Sequence, residues 1–492
     1  MKVKTNKLVF LFLIILIYSC EKNKVNNNSS SDDEDINKII ILYTNDEHGW
    51  IEKSDYTDGA ANMVGLWNEE EGYDGNDRYL ILSGGDNWTG PAISTWFEGE
   101  STVDVMNAME YDASAIGNHE FDFKVEGLYE RIEQADFPYL SANIREKASG
   151  EIPGFATPYI IKEINGVMVG IIGLTTTTTP SSTFPDHVAD YDFIDYLTAL
   201  DETVPQVKLD GAELIIVVAH ICYSEISEIA RSLIDLGVSV IGGGHCHNDM
   251  KAQIITSSNG ELAAIKSVAY MQSYVKIEIT YDKIEKEVVS MEPSVHLNEN
   301  GSPDQTVSDV ISYWRMQTDA ELSEVIGYTD NEITVRSNAM HNMVVDSWLN
   351  QYPTADIAMT NAGGIRQSIP AGNIIKEVII SVLPFQNFII ELQLTGAQVI
   401  NCTEYDDMIY GGMTTVGGYF LSDGTPIDDN TTYSVLTTDF LYAQIDIPFS
   451  QYDASPYYTS MNYHQPTIDW ITSLNTSSAN PLDNYLDYTA RR

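Results

Sequence analysis

Basic side chains are scarce in this 492-residue chain: 26 Lys and Arg stand against 72 Asp and Glu, for a formal net charge of -46. A field of that sign repels polyanions, so DNA and RNA are excluded as partners. A small phosphorylated compound is not, because bound cations and a few well-placed arginines reverse the sign locally. Cysteine is sparse too, limited to Cys20, Cys222, Cys246 and Cys402. With Cys20 assigned to the amino-terminal segment described next, no disulfide framework can be read; a Cys222–Cys246 bridge and three buried free thiols both stay open. Internal apolar runs stop well short of the ~20 residues that span a bilayer. No fixed-period repeat occurs, which excludes solenoids and propellers.

What is present begins with Lys2, Lys4 and Lys7, an apolar run over residues 8–17, and Ser19-Cys20. That is the charged, hydrophobic and small-residue order of a secretory signal. Ile17-Tyr18-Ser19-Cys20 resembles a bacterial lipobox. The resemblance implies a lipoprotein signal peptide over residues 1–20 and an exported chain held by a lipid on Cys20 at the periplasmic or cell-surface side of a bacterial membrane; cleavage with release of a soluble protein is the alternative. Residues 21–37, Asn/Ser-rich and then acidic through Ser31-Asp32-Asp33-Glu34-Asp35, are expected to form a flexible tether.

The length predicts two or three domains. Short apolar runs at 39–43, 79–82, 113–116, 167–174, 214–219 and 238–241 alternate with longer mixed segments, the pattern of strands and helices in an α/β or α+β fold. Residues 307–325, with Trp314 and apolar positions at helical spacing, read as a helix at a domain junction. This places a first domain over 38–305, a linker helix over 306–328 and a second domain over 329–492. A second α/β-like series of apolar runs follows at 356–360, 378–383, 388–394 and 433–437, and the tail after Phe449 reads as loop-rich.

Histidines, aspartates and one asparagine fall at strand ends. Asp46 and His48 follow the first run, Asp86 the second and Asn118 and His119 the third, while His220 follows 214–219 and His245 and His247 follow 238–241. The carboxyl ends of strands in open α/β sheets are where ligands bind, so these side chains are expected to converge. Residues two apart in extended chain project to one side, which pairs Asp46 with His48 and His245 with His247 and turns Glu47 and Cys246 away. Imidazole, carboxylate and amide oxygen without sulfur suit zinc, manganese or cobalt. Seven candidates exceed one tetrahedral site and fit two ions sharing a carboxylate, the arrangement used in phosphoryl transfer.

Asp46-Glu47-His48, Gly85-Asp86, Gly117-Asn118-His119-Glu120-Phe121-Asp122, His220 and Gly244-His245-Cys246-His247 resemble the five blocks of the calcineurin-like metallophosphoesterases. The resemblance implies a four-layer α/β/β/α sandwich. It implies that Asp46, His48 and His247 hold one divalent ion and Asn118, His220 and His245 the other, with Asp86 bridging. His119 would stabilise charge or protonate the leaving oxygen, oriented by Asp122, and hydroxide generated at the ions would attack.

In the second half, Arg336, Asn361-Ala362-Gly363-Gly364-Ile365-Arg366, Leu383-Pro384-Phe385-Gln386-Asn387 and Thr438-Asp439-Phe440-Leu441 resemble the carboxy-terminal substrate-binding domain of the 5'-nucleotidase family. By that resemblance Arg336 and Arg366 bind phosphate, Gly363 and Gly364 form the loop between Asn361 and Arg366, Asn361 contacts the base, and Phe385 stacks on it. The family's second clamping aromatic has no counterpart in its usual block. Phe449 is the expected replacement, with Tyr452 as a second possibility and core packing of Phe449 as the plain reading. The expected activity is release of phosphate from nucleoside monophosphates, with nucleoside diphosphates or UDP-sugars as further substrates. The alternatives are a 2',3'-cyclic phosphodiesterase with 3'-nucleotidase activity and a non-catalytic surface protein that captures ligands.

Overall fold

The computed structural model describes residues 36–492 apart from Asp55, Asn248 and Ile445. The signal, lipobox and acidic stretch up to residue 35 therefore lie outside the described residues. Ile36 and Asn37, expected in the tether, instead begin the first strand, because the antiparallel partner runs long enough to pair Ile36 with Asp282.

Among the described residues, twelve strands build the two six-stranded sheets of the amino-terminal part. In chain order they are β1 (Ile36–Thr44), β2 (Tyr79–Ser83), β3 (Ala113–Ala115), β4 (Tyr139–Leu140), β5 (Tyr159–Ile164) and β6 (Val167–Thr175). They continue as β7 (Leu214–His220), β8 (Val240–Gly242), β9 (Lys251–Ser257), β10 (Gly260–Lys266), β11 (Ser273–Asp282) and β12 (Glu287–Leu297). One sheet runs β12-β11-β1-β2-β3-β4 and the other β9-β10-β8-β7-β6-β5. Within each, four consecutive strands are parallel and the edge hairpin or strand is antiparallel.

The inner faces meet over Ile39, Ile41, Leu80, Leu82, Val169, Ile171, Ile216 and Val218, all buried. The outer face of the first sheet is covered by helices Gly59–Glu70, Glu100–Ala108 and Lys124–Gln134. The second is covered by Tyr196–Leu209 and α1 (Tyr223–Leu236). Strands buried on both faces carry unbroken apolar runs, and the four-layer α/β/β/α sandwich results.

Helix α2 (Gln305–Leu322) starts where the Asp304 carboxylate accepts the Val307 N–H (3.0 Å). Its Trp314 donates to Asp104 of the first sandwich (3.0 Å). Beyond it, α3 (Asn338–Gln351) packs on a five-stranded sheet of β13 (Ile357–Asn361), β14 (Phe388–Thr395), β15 (Met408–Gly411), β16 (Thr432–Thr438) and β17 (Tyr457–Asn462), ordered β15-β13-β16-β14-β17. The apolar run at 378–383 is helical instead of extended: α4 (Lys376–Val382) buries Ile379, Ile380 and Val382 against the carboxy-terminal core. Tertiary burial outweighs the β preference of its branched residues. The tail is also more regular than its composition indicates. It supplies β17 as an edge strand and a helix, Gln465–Leu474.

Candidate functional site

All seven predicted ligands stand at the carboxyl ends of parallel strands. Asp46 and His48 follow β1, Asp86 follows β2, Asn118 follows β3, His220 ends β7, and His245 and His247 follow β8. Their convergence arises differently from the expected extended spacing. Asp46, His48, Asp86 and His245 have φ of 53°, 46°, 59° and 66°. Left-handed backbone at non-glycine residues costs ~1–3 kcal/mol each and persists only where the surroundings enforce it, so the ligand loops store strain. A Cβ on Gly117 would lie 2.2 Å from Asp86 Oδ1, so only glycine lets the loop after β3 pass this carboxylate.

The donor atoms fall into overlapping groups. Potential ligand atoms of Asp46, His48 and His247 lie within 4.8 Å of one another, as do those of His48, Asp86 and His119 and those of Asp86, His220 and His245. Asp86 Oδ2 is 2.9 Å from His220 Nε2 and 3.8 Å from His48 Nε2, so this carboxylate stands between the two sides. His48 Nδ1–H donates to the Thr89 carbonyl (2.9 Å) and His220 Nδ1–H to the Gly84 carbonyl (2.9 Å). Those bonds fix the tautomers and leave each Nε2 facing the centre. The Tyr270 hydroxyl meets His247 Nδ1 (2.8 Å) and holds the orientation of that ring.

Asn118 Nδ2 donates to the Ser182 carbonyl (3.0 Å), and its buried Oδ1 has no partner. A buried oxygen left bare beside carboxylates and imidazoles is the signature of a cation ligand. Burial pushes His245 and His247 down to about 4, leaving both lone pairs available at neutral pH. Burial also opposes charge on His220, but Asp86, with Asp46 and Glu120, overrides it and lifts that imidazole to about 10. The carboxylates thus demand positive charge at this side of the centre. The donor set fits two divalent cations.

His119 lies beside these groups, its Nδ1 2.7 Å from Asp122 Oδ2. Burial disfavours its charged form, yet Asp122 and Asp86 outweigh that and hold its pKa above the usual histidine value. The ring stacks on Phe385 of the second domain, centroids 5.6 Å apart and planes 20° from parallel. Arg366 sits beside that phenyl ring, its guanidinium carbon 5.7 Å from the Phe385 centroid. A cavity of about 580 Å³ opens here, walled by His119 and Asp122 on one side and Asn361, Gly363, Gly364, Arg366 and Phe385 on the other.

Two of the expected substrate-binding residues are not among those that line the cavity. Phe449 is fully buried among Met359, Leu392 and Leu441, because the short helix that carries it packs on the sheet; Tyr452 is tied to Asn401 (2.7 Å). Phe388 and Phe440 line the cavity instead. Arg336 is exposed at the turn before α3, whose cap is Ser337, and is not among the lining residues.

Sequence reasoning also missed supporting residues. Glu120 accepts the N–H groups of Asp86 (2.9 Å), Asn87 (2.7 Å) and Gly117 (2.6 Å), and its place inside the Gly117–Asp122 block was the available signal. Asn45 donates to Asp46 Oδ2 (2.6 Å). Tyr463 accepts the Phe385 N–H (3.1 Å) and donates to the Gly364 carbonyl (3.3 Å), joining the two cavity loops, and nothing in the local sequence marked it. Cys222 and Cys246 are joined as a disulfide, while Cys402 is free and buried.

Residues 325–405 match the family described as 5'-nucleotidase, C-terminal domain, and residues 52–264 match that described as bacterial capsule synthesis protein PGA_cap. The 5'-nucleotidase of Homo sapiens is 28% identical over 433 residues, covering 79% of this chain and 74% of the relative. A snake venom 5'-nucleotidase from Gloydius brevicauda is 27% identical over 414 residues, covering 75% and 70%. Among solved structures, a 5'-nucleotidase precursor from Thermus thermophilus superposes with a TM-score of 0.75 at 22% identity, covering 92% of this chain and 98% of the other.

Proposed function

Because residues 325–405 carry the 5'-nucleotidase C-terminal domain and the relatives over most of both chains are 5'-nucleotidases, we propose that this chain is a metal-dependent phosphoester hydrolase that releases phosphate from nucleoside 5'-monophosphates. One observation carries the reading: a single cavity is walled by His119 and Asp122 next to the ligand cluster and by Asn361, Arg366 and Phe385 of the second domain. A phosphate at the metal centre and a base on the second domain fit that geometry together.

In this reading Asp46, His48 and His247 hold one divalent ion, Asn118, His220 and His245 the other, and Asp86 lies between. Zinc, manganese or cobalt suits the donors, and such a pair polarises a phosphoryl group and acidifies a water when bound. His119 gives its Nε2 proton to the leaving ribose oxygen while Asp122 holds Nδ1–H. Arg366 offers the phosphate a planar fork of donors. Asn361 reads the base edge, with Gly363 and Gly364 letting the base approach the backbone. Phe385 stacks on one face and Phe440 closes the other. The open cavity leaves room for a second phosphate or a sugar, so nucleoside diphosphates and nucleotide sugars belong to the same substrate class. Export and anchoring through Cys20 complete the proposal. Among the described residues no helix is long and apolar enough to cross a membrane.

The test is phosphate release from AMP, 3'-AMP, 2',3'-cyclic AMP, ADP, UDP-glucose and bis-p-nitrophenyl phosphate by protein stripped with chelator and reloaded with manganese or zinc. Metal-dependent release from AMP is expected. Activity confined to the cyclic and diester substrates would transfer the protein to the phosphodiesterases, and silence on every substrate would leave a ligand-capturing protein.

A further inference from the structure

Two neighbouring strands deliver three of the seven proposed ligands. β7 ends on His220, and β8 is followed by His245 and His247. The ladder between them stops at Val218 and Gly242, after which the Gly244 N–H donates to the Ile221 carbonyl (2.9 Å). His245 then turns into the left-handed region at φ 66°. A strained loop relaxes unless its neighbours enforce the geometry.

The His245 N–H donates to Asp46 Oδ1 (3.0 Å), and a second link across this loop is covalent. Cys222, two residues past His220, is bonded to Cys246, which separates His245 from His247, and their Cα atoms are 5.2 Å apart. Cys222 is also the residue before α1, where Glu225 Oε2 accepts its N–H (3.1 Å), so the bridge ties the His245 loop to a helix as well as to a strand. Across it the His220 and His245 rings lie with centroids 5.1 Å apart. Cys246 is exposed, so a reductant can reach the bond.

We propose that the Cys222–Cys246 disulfide is a clasp that positions His220 and His245, so that the Asp86–His220–His245 side of the centre binds its divalent ion more tightly in the oxidised chain than in the reduced one. The proposal rests on the two-ion reading. Reduction by a dithiol breaks the S–S bond. The dithiol supplies two electrons and two protons, becomes a disulfide itself, and leaves thiols on Cys222 and Cys246. Groups that orient metal ligands commonly alter affinity ~10–100-fold, so about tenfold weaker binding of one equivalent is expected. The other equivalent should change little, since Thr89 and Tyr270 still hold His48 and His247.

Cobalt(II) titrated into the metal-free full chain, read by visible absorption and by chelator competition, tests this on three forms: oxidised, dithiol-reduced with the reductant removed under nitrogen, and Cys222→Ser/Cys246→Ser. The oxidised chain should bind two equivalents tightly. One of the two should weaken about tenfold in the other forms, and recover on reoxidation of the reduced chain but not in the variant. Equal affinities in all three forms overturn the clasp and leave the centre standing, whereas no cobalt bound by the oxidised chain overturns the centre itself. A cobalt–thiolate charge-transfer band in the reduced chain also overturns the clasp, because it makes a cysteine a ligand. If the variant fails to fold by circular dichroism, the reduction and reoxidation pair still decides the matter.

Discussion

At the scale of single residues, the two walls of the cavity divide the work. Asp86 stands between both groups of candidate metal donors, and its Oδ1 accepts the His119 backbone N–H (2.8 Å) while Oδ2 faces His220. Arg366 lines the cavity beside Phe385 and belongs to neither donor group. Asp86→Ala should therefore abolish cleavage of AMP and of a small aryl phosphate diester alike, together with binding of metal. Arg366→Ala removes a charge-assisted bond of ~1.5–3 kcal/mol, so kcat/KM for AMP should fall roughly 10–100-fold while the aryl diester is cleaved almost as before. Equal losses on both substrates in both variants would contradict this division.

Among the elements, α2 carries a salt-bridge node. Its Arg315 reaches Glu52 of the first domain (3.1 Å), Glu377 at the start of α4 (2.8 Å) and Asp319 (3.0 Å). Burial raises the Glu52 pKa; Arg315 opposes that rise and Glu377 adds to it. Arg315→Met leaves Glu52, Glu377 and Asp319 without their shared cation, and because the node is partly exposed the loss should be about 1–2 kcal/mol. The sign with pH follows from the raised value. The folded state binds the Glu52 proton more readily than the unfolded chain, whose value is about 4.3, so stability falls as pH rises through the folded pKa. The variant raises that pKa further. Its deficit in thermal unfolding should be largest at about pH 7 and shrink toward about pH 4. A deficit that is constant with pH would show that lost packing, and not charge, is responsible.

For the molecule as a whole, the contact between domains makes the cavity. His119 stacks on Phe385, the Ala92 N–H donates to Ser381 Oγ (2.8 Å), and Gln386 donates to Glu98 (3.2 Å), so the second domain closes over the ligand cluster. Closure of two such walls on a bound nucleotide excludes water, and their parting releases the products. A cross-domain disulfide that holds them apart should stop AMP hydrolysis while metal content stays the same. Full turnover in the locked protein, with the cross-link verified, would remove domain closure from the mechanism.

The convergence of the candidate metal ligands was legible in one dimension because each is set by residue type and by its place at the end of an apolar run: Asp46, His48, Asp86, Asn118, His220, His245 and His247 all stand where the strand pattern put them. Arg366 and Phe385 were legible through their blocks. Tertiary structure alone decided the rest. Phe449 and Phe440 are equally aromatic and lie on successive short helices, yet packing against β13 and β14 buries one and leaves the other on the cavity. The run in α4 is as β-branched as a strand, and only burial against the carboxy-terminal core makes it helical. The pairing of Cys222 with Cys246 depended on β7 and β8 being neighbours. Local chemistry is written in residue identity, whereas contact between distant residues follows from packing, which no short stretch of chain contains.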